Sequence, residues 1–172
     1  MISKARAGLM ALVVVGTLGA SACQPLQLVA DRRLSFTTPA ARTTVRQLPV
    51  TVSWTMRDFT PSGLTGSTAS SSGEFAVFVD GPPIKVGQQI KAVANGDESC
   101  QRNPRCPDAA YLADRGVYVT TNPTVDLASF PHHSRASHRH TVTVVLLNGA
   151  GRRFSESAWN ISFTVKTRAG AA

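Results

Sequence analysis

Two stretches near the C-terminus decide how this 172-residue chain folds: Thr-Val-Thr-Val-Val-Leu-Leu at residues 141–147 and Trp-Asn-Ile-Ser-Phe-Thr-Val at residues 159–165. The second alternates strictly, placing Trp159, Ile161, Phe163 and Val165 on one face of a strand and Asn160, Ser162 and Thr164 on the other. The first is mostly β-branched, which favours extended backbone. Between them lies Asn148-Gly149-Ala150-Gly151, and Asn-Gly supplies the positive φ of a tight turn. The same period of two continues upstream. Residues 49–56, Pro-Val-Thr-Val-Ser-Trp-Thr-Met, put Val50, Val52, Trp54 and Met56 on one side. Residues 75–79, Phe-Ala-Val-Phe-Val, are apolar on both faces and predict a central strand. Shorter strands are expected at residues 34–36, 90–93 and 117–119. About seven strands without amphipathic helices between them predict an all-β domain of two antiparallel sheets packed face to face. Trp54 and Trp159 are its expected largest core side chains.

Composition agrees with one globular domain. With 42% hydrophobic and 16% charged residues and three cysteines, collagen, a cysteine-dense scaffold and a wholly disordered chain are excluded. A domain of about 150 residues buries roughly two-thirds of its unfolded surface, so its core needs no disulfides.

The first 22 residues read as an export signal. Lys4 and Arg6 form a positive start, residues 8–20 are uncharged and mostly apolar, and Ala20-Ser21-Ala22 gives the small residues of a cleavage site. The apolar run is shorter than the roughly 20 residues of a spanning helix. Cys23 follows immediately. The sequence Ala20-Ser21-Ala22-Cys23 resembles the lipobox of bacterial lipoproteins, with Ala20 where that family usually has Leu. The resemblance implies diacylglycerol on the Cys23 thiol and an acyl chain on its amine. Cysteine parity agrees, because lipidation of Cys23 leaves Cys100 and Cys106 as an even pair in an exported protein. The same Ala-x-Ala also suits ordinary secretion. The expected organisation is a signal peptide at 1–22, a lipidated Cys and tether at 23–31, the sandwich at 32–168 and a tail at 169–172.

The order of a Pro-led strand ending at Trp54, a Phe-Val strand, His-Thr-Val-Thr-Val-Val-Leu-Leu-Asn-Gly at 140–149 and the closing Trp-rich strand resembles an immunoglobulin-like or fibronectin type III-like sandwich. It is similar to single-domain surface lipoproteins of high-GC Gram-positive bacteria. Residues 34–166 carry the resemblance, and its motifs are structural. A cysteine pair on the core strands, as antibody domains have, is lacking.

Two segments break the strand pattern. Residues 60–73, Thr-Pro-Ser-Gly-Leu-Thr-Gly-Ser-Thr-Ala-Ser-Ser-Ser-Gly, have too few apolar groups to offset their ordering entropy, and a flexible loop is expected. Residues 95–115 hold Cys100 and Cys106, which close a small ring in an oxidising compartment, worth roughly 2–2.5 kcal/mol. A short helical turn is expected over residues 107–113. Asp97, Glu98, Asp108 and Asp114 lack the spacing of a calcium loop. If the two segments met at one end of the sandwich, they would form a composite recognition surface.

Chemistry is sparse. All four histidines, His132, His133, His138 and His140, fall within nine residues and are the candidate ligands for Cu²⁺ or Zn²⁺. Arg135 and Arg139 set fixed positive charge among them, so a solvated polar connection is the preferred reading, with His140 starting the next strand at the sheet edge. Neither Gly-x-Ser-x-Gly nor His-Glu-x-x-His occurs, and no catalytic residue or cofactor is assigned. The net charge is +8, or +6 once Lys4 and Arg6 leave with the leader. The arginines are scattered, which suits anionic headgroups or acidic envelope polymers better than nucleic acid. The expectation is a non-enzymatic binding, adhesion or envelope-scaffold module, extracytoplasmic and held to the cell membrane by lipid or else secreted. Its expected partners are the membrane and, beyond it, anionic envelope polymers or another envelope protein. The competing readings are a metal-binding protein and a cell-wall-modifying enzyme.

Overall fold

A computed structural model of the protein describes residues 31–130 and 137–166. The leader, Cys23 with residues 24–30, His132, His133 and the tail at 169–172 lie outside the described residues. Among the described residues nine strands form two sheets. They are β1 (Leu34–Thr38), β2 (Thr44–Val45), β3 (Val50–Met56), β4 (Thr60–Pro61) and β5 (Ser72–Val79). After a helical excursion come β6 (Val117–Thr120), β7 (Thr124–Leu127), β8 (Ser137–Asn148) and β9 (Trp159–Lys166). One sheet has the order β1-β3-β7; the other runs β2-β9-β8-β5-β4, with β6 also on β5. The long pairings are antiparallel, as expected. The two-residue strands β2 and β4 pair in parallel with β9 and β5.

Alternation explains the packing. Val50, Val52 and Trp54 face Val142, Val144 and Leu146 of β8 and Ile161, Phe163 and Val165 of β9 across one core. Phe75, Val77 and Val79 enter that core, while Ala76 and Phe78 point out of the other side of the same sheet. Trp54 packs edge-on against Phe75, with ring centroids 5.3 Å apart. Trp159 joins the core and donates its indole N–H to the Asp31 carbonyl at 2.7 Å, fixing where the chain enters the domain. At that entry the Arg33 guanidinium holds the Asp31 carboxyl well below the usual carboxylate range, with help from the Ser157 hydroxyl.

Three expectations change. Residues 90–93 form a 3-10 helix (Ile90–Ala94) and not a strand. Four alternating residues cannot fix a period. Ile90, Ala92 and Val93 instead pack on the outward cluster around Phe78, while Ala92 and Asn95 donate to carbonyls three residues back. Strand β7 was not anticipated, because Asp126 interrupts its apolar pattern; the Thr51 hydroxyl donates to that carboxylate at 2.6 Å. The segment at 60–73 is also not a free loop. Ser62 N–H donates to Gly73 O, and Gly66 N–H to Gly149 O. At Gly149 a Cβ would lie 2.3 Å from the Thr65 hydroxyl oxygen, which would have to turn away. At Gly73 a Cβ would lie 2.0 Å from Leu147 O.

The two non-strand segments do not meet. Residues 60–71 lead into the start of β5 and touch the turn at Gly149. Residues 95–115 lead into β6, whose Val117 pairs with Phe78 near the other end of β5.

Glu74 of β5 is half-buried beside Gly63, and among the described residues its Oε2 has no hydrogen-bond partner. Burial raises its pKa above the usual carboxylate value. The folded protein therefore holds that proton more tightly than the unfolded chain, and stability falls as pH rises between the two pKa values. Replacement by Gln is expected to flatten this fall and to raise neutral-pH stability by about 1 kcal/mol, since solvent screening at a side chain only half-buried limits the gain. Urea unfolding of both proteins across the acidic range checks it; an unchanged pH slope in E74Q contradicts it.

Candidate binding site

The outward side chains of β5 and β8, Ala76, Phe78, Val145 and Leu147, are 0–2% exposed. Residues 81–116 cover them. This excursion contributes Ile84 and Leu112 to the cluster, and Arg153 ties it down at Ile84. The Arg153 guanidinium is buried and donates to the Ile84 carbonyl at 2.6 Å and to Ser155 and Glu156 carbonyls at 3.0 Å. Its charge is thus met by backbone oxygens, and desolvation lowers its pKa.

Two short helices complete the layer. Asp97 begins α1 (Glu98–Gln101), accepting from the backbone N–H of Ser99 and Cys100; Asp108 begins α2 (Ala109–Asp114), accepting from Tyr111 N–H. Both are N-caps, which satisfy amide donors that the first helical turn leaves free. The helical turn expected at 107–113 is thus present as α2. Cys100 and Cys106 are joined by a disulfide, as their spacing suggested, with Cα atoms 5.2 Å apart. Asp97 also ties α1 to α2, because its carboxylate accepts from Tyr111 Oη and from Arg115 Nη2, both at 2.9 Å. Arg115 lies over the Tyr111 ring, 3.6 Å from its centroid.

Beneath this layer is a cavity of about 300 Å³. Its walls include Phe78, Pro83, Ile84, Val93 and Val117, and Arg115 is the charged residue among them. Sequence reasoning missed Arg115. Nothing local marks it, since its partners Asp97 and Tyr111 depend on how α1 and α2 fold back on each other.

The histidine segment divides. The backbone of His138 pairs with Val165 in β8. His140 is not at a solvated edge: it is 3% exposed, opposite Phe163, with the Phe130 ring stacked at 4.0 Å. Asp80 explains this. It leaves β5 in the left-handed region, φ +57°, which breaks the strand alternation. One carboxylate oxygen accepts from Thr141 N–H at 2.8 Å and the other meets His140 Nδ1 at 2.6 Å. An acid–imidazole pair of this kind orients the ring. Among the described residues no group of three or more His, Cys, Asp or Glu side chains converges as a metal site would require.

Several hydrogen bonds hold the Asp97 carboxylate ionised, foremost those from the Ser99 and Tyr111 hydroxyls, and its pKa is lowered to about 2. Its support of the helical layer is therefore complete above the usual carboxylate range and is lost as pH falls toward about 2. Protection of the Ser99 and Cys100 amides, measured against their intrinsic exchange rates, is expected to fall over that interval. In D97A it should be low at every pH, and equal protection in the two proteins would contradict this assignment.

Comparison with protein-family models, with curated proteins and with solved structures finds no match for this chain.

Proposed function

We propose that this chain is an extracytoplasmic, non-catalytic binding module, anchored to the cell membrane through a lipidated Cys23, with an immunoglobulin-like or fibronectin type III-like sandwich as its body. The observation that carries the binding role is the excursion of residues 81–116. It is an ordered third layer on the two sheets, with its own apolar cluster, two capped helices, a disulfide and a cavity. A plain connection between β5 and β6 would need only a few residues. The sandwich reading is supported by strand order. β1, β3 and β7 stand as strands A, B and E do in one immunoglobulin sheet, and β9, β8 and β5 as G, F and C do in the other.

The anchor reading rests on the residues around Cys23. Asp31, where the described domain begins, is eight residues farther along, so a fully extended tether spans at most about 29 Å. Such a leash keeps the Asp31–Trp159 corner close to the lipid surface and lets the basic domain meet acidic envelope groups. Two or more acyl chains hold a protein on a membrane stably, whereas one does so only marginally.

Mass spectrometry of the mature protein should find acyl chains at Cys23, and C23A should move the protein from the membrane fraction to the medium. The unlipidated domain should bind purified envelope at low salt and release as the screening length shrinks from about 10 Å to about 3 Å. An unmodified Cys23 would refute the anchor. Absent or salt-insensitive attachment would refute the electrostatic partner.

A further inference from the structure

We propose that the cavity under the excursion is a binding site for a small monocarboxylate with an apolar, aromatic-sized body. This rests on the binding-module reading and names a ligand class for the same layer. The volume, about 300 Å³, is roughly twice that of a buried cavity that takes up benzene, so a ring with a short side chain fits.

The walls select for an apolar body and one anionic contact. Phe78, Ile84, Val93 and Val117 supply hydrocarbon, and Pro82 and Pro83 have no backbone N–H to offer. The Gly116 N–H is already bonded to the Ala113 carbonyl at 2.9 Å. Arg115 is the charged residue of the lining and supplies the anion contact. Its guanidinium is held in place by Asp97 Oδ2 at 2.9 Å, the Tyr111 carbonyl at 3.4 Å and the Tyr111 ring. Those two bonds use two of its five N–H donors, and among the described residues the others have no acceptor. Asp97 offsets part of the guanidinium's charge and fixes its orientation, so a ligand carboxylate would be held by the remaining N–H donors and not by net positive charge. A carboxylate is the planar acceptor that matches a fixed guanidinium fork.

The test uses the domain as isotope-labelled protein, with 3-phenylpropionate and its uncharged analogue 3-phenylpropan-1-ol as probes. Saturable amide shifts confined to Ile84, Val93, Gly116 and Val117 are expected, with the acid bound about tenfold more tightly than the alcohol. R115Q should erase that preference, R115K should keep part of it, and V93F, which fills the cavity, should abolish both shifts while the rest of the spectrum stays native. No saturable shift, shifts elsewhere, equal affinity for the two probes, or an acid preference that survives in R115Q would each overturn the proposal. Failure here alongside salt-sensitive attachment to envelope removes the ligand and leaves the module reading standing. Probe binding without envelope attachment does the reverse.

Discussion

Every side chain from Phe75 to Val79 is buried, so β5 must be covered on both faces, and most of the architecture answers to that demand. The three-stranded sheet covers one face through Val50, Val52 and Trp54. A sandwich whose outer faces meet water would leave Ala76 and Phe78 exposed. Here residues 81–116 cover them, and Leu112 and Ile84 close the second cluster. The excursion is therefore a third layer, set by the hydrophobic effect acting on one strand.

A layer built mostly of turns has many backbone groups to satisfy, and its polar residues do that work locally. Asp97 and Asp108 cap helices too short to be stable alone. The buried Arg153 guanidinium donates to three backbone carbonyls, that of Ile84 within the buried layer. At the far end of β5, Asp80 turns the chain and gives His140 a partner inside the core. Asp80, Asp97 and Asp108 are thus occupied in holding the backbone.

The sequence was informative where one face of a strand met water. Strands β3 and β9 alternate visibly because their outward positions carry Thr, Ser and Asn. It misled where local pattern was weak: Ile90–Ala94 buries its apolar groups as a 3-10 turn, and β7 carries Asp126 outward without breaking. The Cys100–Cys106 ring was legible from spacing. Arg115 and Asp80 were not. Each acquires its role from a partner, 18 residues away for the Arg115–Asp97 bond and 60 for the Asp80–His140 pair, a separation that periodicity does not register.

If the excursion is an integral layer, weakening it must weaken the sheet beneath. Native-state hydrogen exchange at the amides of Ala76 and Phe78, compared between the wild-type protein and Leu112→Ala, measures this directly. A truncation of this kind costs about 2–5 kcal/mol, and the account predicts that much less protection at both β5 amides as well as within residues 95–115. Faster exchange confined to residues 95–115, with Ala76 and Phe78 unchanged, would mean that the excursion is an appendage and that β5 stands without it.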